Sequence, residues 1–210
     1  MGPLVLVLAG ATAVSGAPLP TIDPAEAVSR PGPIERGENS DATKLLGTAA
    51  PALPELRWLD GRPRSLGSLE GQVVVIRSFT NECPFCASTM PTLQRLHERF
   101  RDRGVTVLGV FHPKPPAPTS SEDVAAFVKS LGVTFPVAVD EDWSLVRRWW
   151  RANSEGPWTS ITWVLDRKGT IRFVHPGGEY HDAGGGLDHE RCRSDFREIE
   201  NVVDTLRSNP

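Results

Sequence analysis

The chain has 210 residues, of which 39% are hydrophobic and 23% charged, a composition typical of a globular protein with a packed core. Its formal net charge is −3 at neutral pH, so it lacks the basic surface that nucleic-acid binding requires, and we expect no nucleic-acid partner. The length allows one domain of ordinary size together with additional segments.

The first segment has the pattern of an export signal. An apolar run from Leu4 to Val14 is followed by small residues at 15–17, and such a run is too short for a comfortable transmembrane helix. We therefore expect residues 1–17 to be a signal peptide or signal anchor, with a buried helix or a mis-assigned start as the alternatives. Residues 18–50 contain Pro, Ala, Ser and charges without an apolar period, and are interpreted as a flexible tether.

From residue 51 to 210 the pattern is that of one α/β domain. Short apolar runs alternate with turn signals, and Asp60-Gly61 after the first run predicts an N-terminal β-hairpin. Strands alternate with helices and a hairpin and a last helix follow, which predicts a central mixed β-sheet flanked by helices. The predicted strands cover 53–59, 73–76, 105–111, 135–139, 161–165 and 170–174, and the predicted helices cover 84–103, 121–131, 142–151 and 189–207.

The motif Cys83-Pro84-Phe85-Cys86 carries the chemistry. It follows a β-branched strand and opens a helix, with Pro84 at the first helical position, where the missing N–H is no loss. The helix N-terminus stabilises a thiolate on the first sulfur, and a thiolate is the nucleophile that attacks disulfides. We expect Cys83 to attack and Cys86, one turn later, to resolve the mixed disulfide.

Other uses of this cysteine pair fit the sequence less well. A structural disulfide usually closes a longer loop. A zinc site normally needs four ligands and often a second cysteine pair, which the chain lacks. An inert buried pair is the remaining alternative.

Three stretches of sequence resemble one protein family. The segment from Pro51 to Val75, the Cys83–Cys86 motif with Met90-Pro91, and the turn from Val164 to Ile171 are similar to TlpA/ResA-type proteins of the thioredoxin superfamily. The resemblance implies a thioredoxin-like fold and an extracytoplasmic redox role. In this family a cis-proline near the cysteines shapes substrate docking and keeps metals away from the sulfurs.

The chain departs from the family pattern beside the cysteines. Counting back from the Val164–Ile171 turn places Ser160, within Trp158-Thr159-Ser160, at the cis-proline position, and we expect a trans peptide there because a non-proline cis bond costs about 2.5–4 kcal/mol. Arg77 occupies the position of a buried acid in thioredoxins and would favour the thiolate. Glu82 would oppose it if its carboxylate pointed at the sulfur.

The expected function is thiol–disulfide exchange with protein partners outside the cytoplasm, in the periplasm, in the medium or on a membrane tether. A second redox protein would regenerate Cys83 and Cys86, and no cofactor is expected. Two alternatives remain open. Thr80 three residues before Cys83 resembles the Thr-x-x-Cys of peroxiredoxins, which suggests a thiol peroxidase. A non-enzymatic carrier would hold copper with the two cysteines and a histidine.

A further group of metal-ligating side chains lies towards the end of the chain. His189 and Cys192 are three residues apart on the predicted last helix, so they share one face. With His175 and His181 they could bind copper or zinc. The competing interpretation is that Cys192 packs as a small apolar side chain beneath the helix, or serves as an extra redox thiol.

Overall fold

The computed structural model describes residues 40–154, 156–182 and 189–208. Within them the chain forms a six-stranded mixed sheet in the order β1-β4-β3-β2-β5-β6, in which β2, β3 and β4 are parallel and the other strands antiparallel to their neighbours. The strands are β1 (Arg57–Trp58), β2 (Val73–Phe79), β3 (Val105–Phe111), β4 (Val137–Val139), β5 (Thr162–Leu165) and β6 (Ile171–His175). The central mixed sheet that the sequence predicts is confirmed.

Helices cover both faces of this sheet. They are α1 (Ser40–Leu45), α2 (Pro84–Phe100), α3 (Ser121–Ser130), α4 (Ser144–Val146), which continues as a π-helix over Arg147–Arg151, and α5 (Glu190–Ser208); a 3₁₀ turn spans Gly67–Leu69. Alternate residues of β2 point to opposite faces, as strand geometry requires. Val75 and Phe79 join a core with α2, α3 and α5, whereas Val74 and Ile76 join a core with α1, α4 and the π-helix.

Strand β2 lies in the middle of the sheet, between β3 and β5, and every one of its seven residues is buried. A strand covered on both faces needs a continuous apolar run, and Val73-Val74-Val75-Ile76 supplies it. The carboxyl end of β2 leads directly into the loop that carries Cys83, so the cysteines lie at the edge of the sheet where parallel strands end.

The predicted N-terminal β-hairpin is wrong. Strand β1 lies at the edge of the sheet, but it pairs with β4, with Arg57 opposite Val139 and Trp58 opposite Ala138. Gly61 does form a turn, with φ +69°, yet no strand returns from it. The residues that follow are Arg-Pro-Arg-Ser, which lack apolar alternation, and the Arg64 guanidinium binds back to the Asp60 carboxylate at 2.7 Å.

The prediction of a flexible tether fails for residues 40–50. Helix α1 lies in this range, with Ala42 and Leu45 buried against the second core. The next residues bind β6 and its preceding turn, through Gly47 N–H to the Ile171 carbonyl at 2.8 Å and Ala50 N–H to that of Gly169 at 2.9 Å. Two apolar residues three apart are enough to dock one short helix, although they make no repeating pattern.

The proposed signal peptide and the rest of the tether, residues 1–39, lie outside the described residues. In the part of the chain that the structure describes, no helix has the length and hydrophobicity needed to cross a bilayer.

Candidate active site

The two motif cysteines lie at the start of α2, as the sequence predicts. Cys83 is the N-cap residue with extended backbone (φ −98°, ψ 110°), Pro84 occupies the first turn, and the Cys86 N–H donates to the Cys83 carbonyl at 3.0 Å. Both are free thiols. The Cys83 side chain is partly exposed, whereas Cys86 is fully buried, which is the arrangement that an attacking and a resolving thiol require.

The two sulfurs titrate as one pair because they share a hydrogen bond. A thiol that donates to a neighbouring thiolate stabilises that charge, so the first ionisation of the pair becomes easier and the second harder. The hydrogen bond from Cys83, together with Arg77, Ser160 and the Thr80 amide, lowers the pKa of Cys86 to about 6. The same hydrogen bond, followed by burial, raises the pKa of Cys83.

Ser160 lies directly beside the buried sulfur. Its Oγ is 3.4 Å from Cys86 Sγ, and Ser160 itself is buried. Among the described residues the cis peptides are limited to Lys114–Pro115, so the peptide before Ser160 is trans as expected. The position obtained by counting back from the turn is therefore the one that faces the cysteines.

The loop that carries Ser160 is held in place by Ser78, at the end of β2. The Ser78 hydroxyl donates to the Thr159 carbonyl at 2.7 Å and accepts from the Ile161 N–H at 2.8 Å. His112, which follows β3, has its Nε2 3.2 Å from the same Thr159 carbonyl, and burial lowers the pKa of His112 to about 4. The Thr159 carbonyl thus connects the Ser160 loop to Ser78 in β2 and to His112 just after β3.

Arg77 is completely buried below the cysteines. Its guanidinium donates to the Thr162 hydroxyl at 3.1 Å and to the Gly178 carbonyl at 3.0 Å, and lies 5.4 Å from the centre of the Tyr180 ring. These partners are neutral, and Nε has no hydrogen-bond partner among the described residues. The cation lowers the pKa of both cysteines, so a thiolate on the pair is the negative charge that it stabilises.

Two predicted tuning residues take other positions. The Glu82 side chain is exposed, and its backbone N–H lies 3.4 Å from the Thr80 hydroxyl, which accepts from it. Thr80 is buried, and its backbone amide donates to the sulfur of Cys86. The backbone of Thr80, rather than its hydroxyl, is therefore the group that the structure brings to a sulfur.

Trp158 is half-buried and packs against the loop that follows β6. The backbone of Gly177 approaches it so closely that a Cβ built on Gly177 would lie 2.6 Å from the Trp158 Cβ. Gly177 also has φ +125°, a conformation that favours glycine. The aromatic side chain and the glycine loop therefore form one surface.

The predicted metal-ligating residues separate into two places. His181, His189 and Cys192 come together, and Glu179 joins them. His175 lies outside that group, since its Nε2 pairs with Asp195 at 3.1 Å and its ring packs edge-on against Tyr180. Including His175 was wrong because it ends β6, whereas the other residues belong to the loop after β6 and to the start of α5.

Sequence reasoning missed Ser78 and Glu179. Ser78 stands in an apolar strand, one residue before Phe79. A hydroxyl at the end of a buried strand could have indicated that this side chain binds a neighbouring backbone group. Glu179 is two residues before His181, a Glu-x-His spacing within a glycine-containing loop that could have suggested shared ligation. No His, Asp or Glu of the described residues joins Cys83 and Cys86 in a group of three metal donors.

Known proteins resemble the chain over this same region. The model of the AhpC/TSA family matches residues 46–174. Protein DipZ of Mycobacterium tuberculosis is 29% identical over 154 residues, which cover 68% of this chain but 21% of that protein. Thiol-disulfide oxidoreductase ResA of Halalkalibacterium halodurans is 28% identical over 123 residues, covering 59% of this chain and 64% of that one. The chain thus spans about a fifth of DipZ and less than two thirds of ResA.

The solved structures confirm the thioredoxin-like fold. One of them is a thiol-disulfide isomerase from Corynebacterium glutamicum, with a TM-score of 0.58 and 25% sequence identity, covering 77% of this chain and 98% of that one.

Proposed function

Since the chain belongs to the AhpC/TSA family, we propose that it is an extracytoplasmic thiol–disulfide oxidoreductase that exchanges disulfides with protein partners through Cys83 and Cys86. The observation that carries the proposal is the hydrogen-bonded pair of a partly exposed and a buried cysteine at a helix N-terminus, above a buried arginine. The name of ResA supports the same reaction class.

The reaction in the reducing direction uses one thiol and one thiolate. A proton shift within the shared hydrogen bond places the charge on the exposed Cys83 sulfur, which attacks a substrate disulfide and releases the first substrate thiolate. That thiolate takes up the remaining proton from Cys86. The Cys86 thiolate then attacks the Cys83 sulfur, which breaks the mixed disulfide, forms the Cys83–Cys86 disulfide and releases the second substrate thiolate.

The surroundings of the sulfurs suit this sequence of steps. Arg77, the Thr80 amide and Ser160 all stabilise negative charge on Cys86, so they favour the state from which it resolves the intermediate. Trp158 and the Gly177 loop lie at the same edge of the sheet and offer a partly exposed aromatic surface for a polypeptide substrate. Protein thiols and disulfides are therefore the proposed substrates, with a second redox protein to regenerate the pair.

The location outside the cytoplasm rests on the sequence of the first seventeen residues. An apolar run followed by small residues is typical of an export signal. Fusing alkaline phosphatase after residue 50 tests it, because this enzyme folds into its active form only where disulfides can form. Activity from the fusion supports export, and an inactive but stable fusion contradicts it.

The reaction itself is tested with single-cysteine variants. Cys83→Ser should abolish the reduction of insulin disulfides, whereas Cys86→Ser should accumulate a mixed disulfide that dithiothreitol reverses. Alkylation should modify Cys83 before Cys86 in the wild type, since Cys83 is the exposed thiol. If Cys86 is modified first, or if Cys86→Ser traps nothing, the assigned roles are wrong.

The same variants separate disulfide exchange from peroxide reduction. A peroxidase with Cys83 as the reacting thiol should consume hydrogen peroxide in Cys86→Ser when an external thiol is supplied. Disulfide exchange as the main activity predicts no such turnover. The reduction potential of the Cys83–Cys86 pair then decides whether the protein oxidises or reduces its substrates, because about −120 mV marks an oxidant and about −270 mV a reductant.

A further inference from the structure

Four buried side chains with metal-binding atoms meet at one point beside the redox site. They are Glu179, His181, His189 and Cys192, and their ligand atoms all lie within 4.8 Å of one another. All four are at most 2% exposed. Glu179 and His181 come from the loop after β6, whereas His189 lies immediately before α5 and Cys192 in its first turn, so the group joins parts of the chain that local structure does not hold together.

Five of the six distances between these atoms lie within about 0.4 Å of those expected around a single tetrahedral ion. Zinc bonds of about 2.0–2.3 Å imply ligand-to-ligand separations of about 3.3–3.6 Å in a tetrahedron. Glu179 Oε1 lies 3.4 Å from His181 Nε2, 3.1 Å from His189 Nδ1 and 3.5 Å from Cys192 Sγ. His189 Nδ1 lies 2.9 Å from His181 Nε2 and 3.8 Å from Cys192 Sγ.

The chemistry of the donors indicates which ion fits. One carboxylate and one thiolate carry two negative charges, which a divalent cation neutralises in a site that water does not reach. Cu(I) is selected by soft sulfur ligands and gains little from a carboxylate, whereas Zn²⁺ binds carboxylate, imidazole and thiolate alike. Four protein ligands leave no open position, as in structural rather than catalytic zinc sites.

Neighbouring contacts hold the ligands in place as an outer shell does in metal sites. The Ser88 hydroxyl, on the second turn of α2, lies 3.3 Å from the other carboxylate oxygen of Glu179 and can donate to it. The residues that follow Glu179 and Ser88 are also in contact, because the Tyr180 N–H donates to the Thr89 hydroxyl at 3.3 Å. The loop that carries Glu179 is therefore in direct contact with α2, the helix that begins with the redox motif.

We propose that Glu179, His181, His189 and Cys192 bind a structural Zn²⁺ ion that fixes the loop after β6 and the start of α5 against the redox helix α2. The loop includes Gly178, whose carbonyl binds Arg77, and Gly177, which packs on Trp158. The ion therefore supports the positions of residues around the cysteines while taking no part in electron transfer. Cys192 is a metal ligand in this arrangement and not a third redox thiol.

The experiment must exclude the redox cysteines as ligands, because Cys83 and Cys86 could bind the same ions. The full chain carrying Cys83→Ser and Cys86→Ser is purified without a histidine tag, and its metals are measured by mass spectrometry. The proposal predicts one zinc per chain. Zinc bound by the wild type but absent from this double variant would overturn it, and copper or iron in place of zinc would overturn the choice of ion.

Ligand identity is tested in the same double-cysteine background. Replacing zinc by Co²⁺ should give the visible bands of a tetrahedral site and a near-ultraviolet sulfur-to-cobalt band, and Cys192→Ser should remove only the latter. Glu179→Gln and His181→Asn should weaken zinc binding at least ~100-fold, since changes to outer-shell partners alone cost 10–100-fold. Ser88→Ala, which changes an outer-shell partner of Glu179, should weaken zinc binding about 10–100-fold.

A matched control is His175→Gln, which changes a buried histidine of the same region that lies outside the four. It should keep full zinc content. Equal losses in His175→Gln and His181→Asn would mean that unfolding, not ligation, removes the ion, and the cobalt spectrum of the double-cysteine protein then decides. A spectrum without a sulfur band would show that the four residues form only a hydrogen-bonded network.

Discussion

The hydroxyl of Ser160 lies 3.4 Å from the sulfur of Cys86, at the position where proteins of the resembled family carry a cis-proline. A proline offers no hydrogen-bond donor there, whereas serine can donate to a thiolate. The substitution therefore changes the electrostatics of the resolving cysteine as well as the shape of the loop. Ser78 and His112 both hold the preceding carbonyl, so the loop keeps its position without the proline ring.

Ser160→Ala should raise the pKa of Cys86, because the hydroxyl stabilises the charged form of this sulfur. A hydrogen bond to a charged group contributes about 1.5–3 kcal/mol, which corresponds to a rise of about one to two pKa units. Thiolate absorbance as a function of pH measures it. Ser130→Ala removes a hydroxyl on α3 that binds only the Phe127 carbonyl among the described residues and should leave the titration unchanged.

Arg77→Gln should raise the pKa of the first ionisation of the cysteine pair, since the guanidinium lowers the pKa of both sulfurs. The variant should react more slowly with iodoacetamide near neutral pH because less thiolate is present. Arg77→Lys keeps the charge and should restore part of the effect, although it cannot reproduce both hydrogen bonds. An unchanged or lower pKa in Arg77→Gln would contradict the proposed role.

The reduced protein should become more stable as the pH rises from about 6 to 9. In this interval the folded pair has lost a proton, because the pKa of Cys86 is lowered to about 6, whereas the thiols of the unfolded chain, with an ordinary pKa of 9.0, keep theirs. The unfolded state therefore binds more protons, and the free energy of unfolding increases with pH.

Above pH 9 this trend should reverse, because Cys83 keeps its proton in the folded state, where its pKa is raised, and loses it on unfolding. Urea titrations at a series of pH values measure the curve. The Cys83→Ser, Cys86→Ser double variant retains the titration of all other groups, His112 included, so the difference between the two proteins isolates the pair. Parallel curves would show that the cysteines do not share a proton.

Gly177→Ala should destabilise the protein more than an ordinary glycine substitution, because both its backbone angle and the nearby Trp158 side chain oppose a Cβ. Gly132→Ala is the matched control, since Gly132 also has positive φ (+69°) but has nothing within 4 Å of a built Cβ. The control should lose about 1–2 kcal/mol from backbone strain alone. Urea unfolding measures both, and equal losses would show that the contact with Trp158 is easily relieved.

Much of the site could be predicted from sequence because its determinants are local. A β-branched run predicts the buried strand β2, and Pro84 marks the first turn of α2. Within the four-residue motif, the position of each cysteine relative to the helix start predicts that Cys83 is the more exposed thiol and Cys86 the buried one. A count back from the Val164–Ile171 turn placed Ser160 at the cis-proline position of the resembled family, and that resemblance put it beside the cysteines. The inferences about β2, Pro84 and the cysteine pair each span fewer than about ten residues, the range over which backbone geometry fixes relative positions.

Tertiary structure alone decided what depends on contacts between distant segments. The partner of β1 is β4, about eighty positions later, and Arg77 meets Gly178 at a separation of 101 residues. The donor cluster excludes His175 and includes Glu179 because the chain turns after β6, and no periodic pattern encodes that turn. The pKa shifts of Cys83 and Cys86 belong to the same class, since burial and neighbouring charges set them, and sequence spacing determines neither.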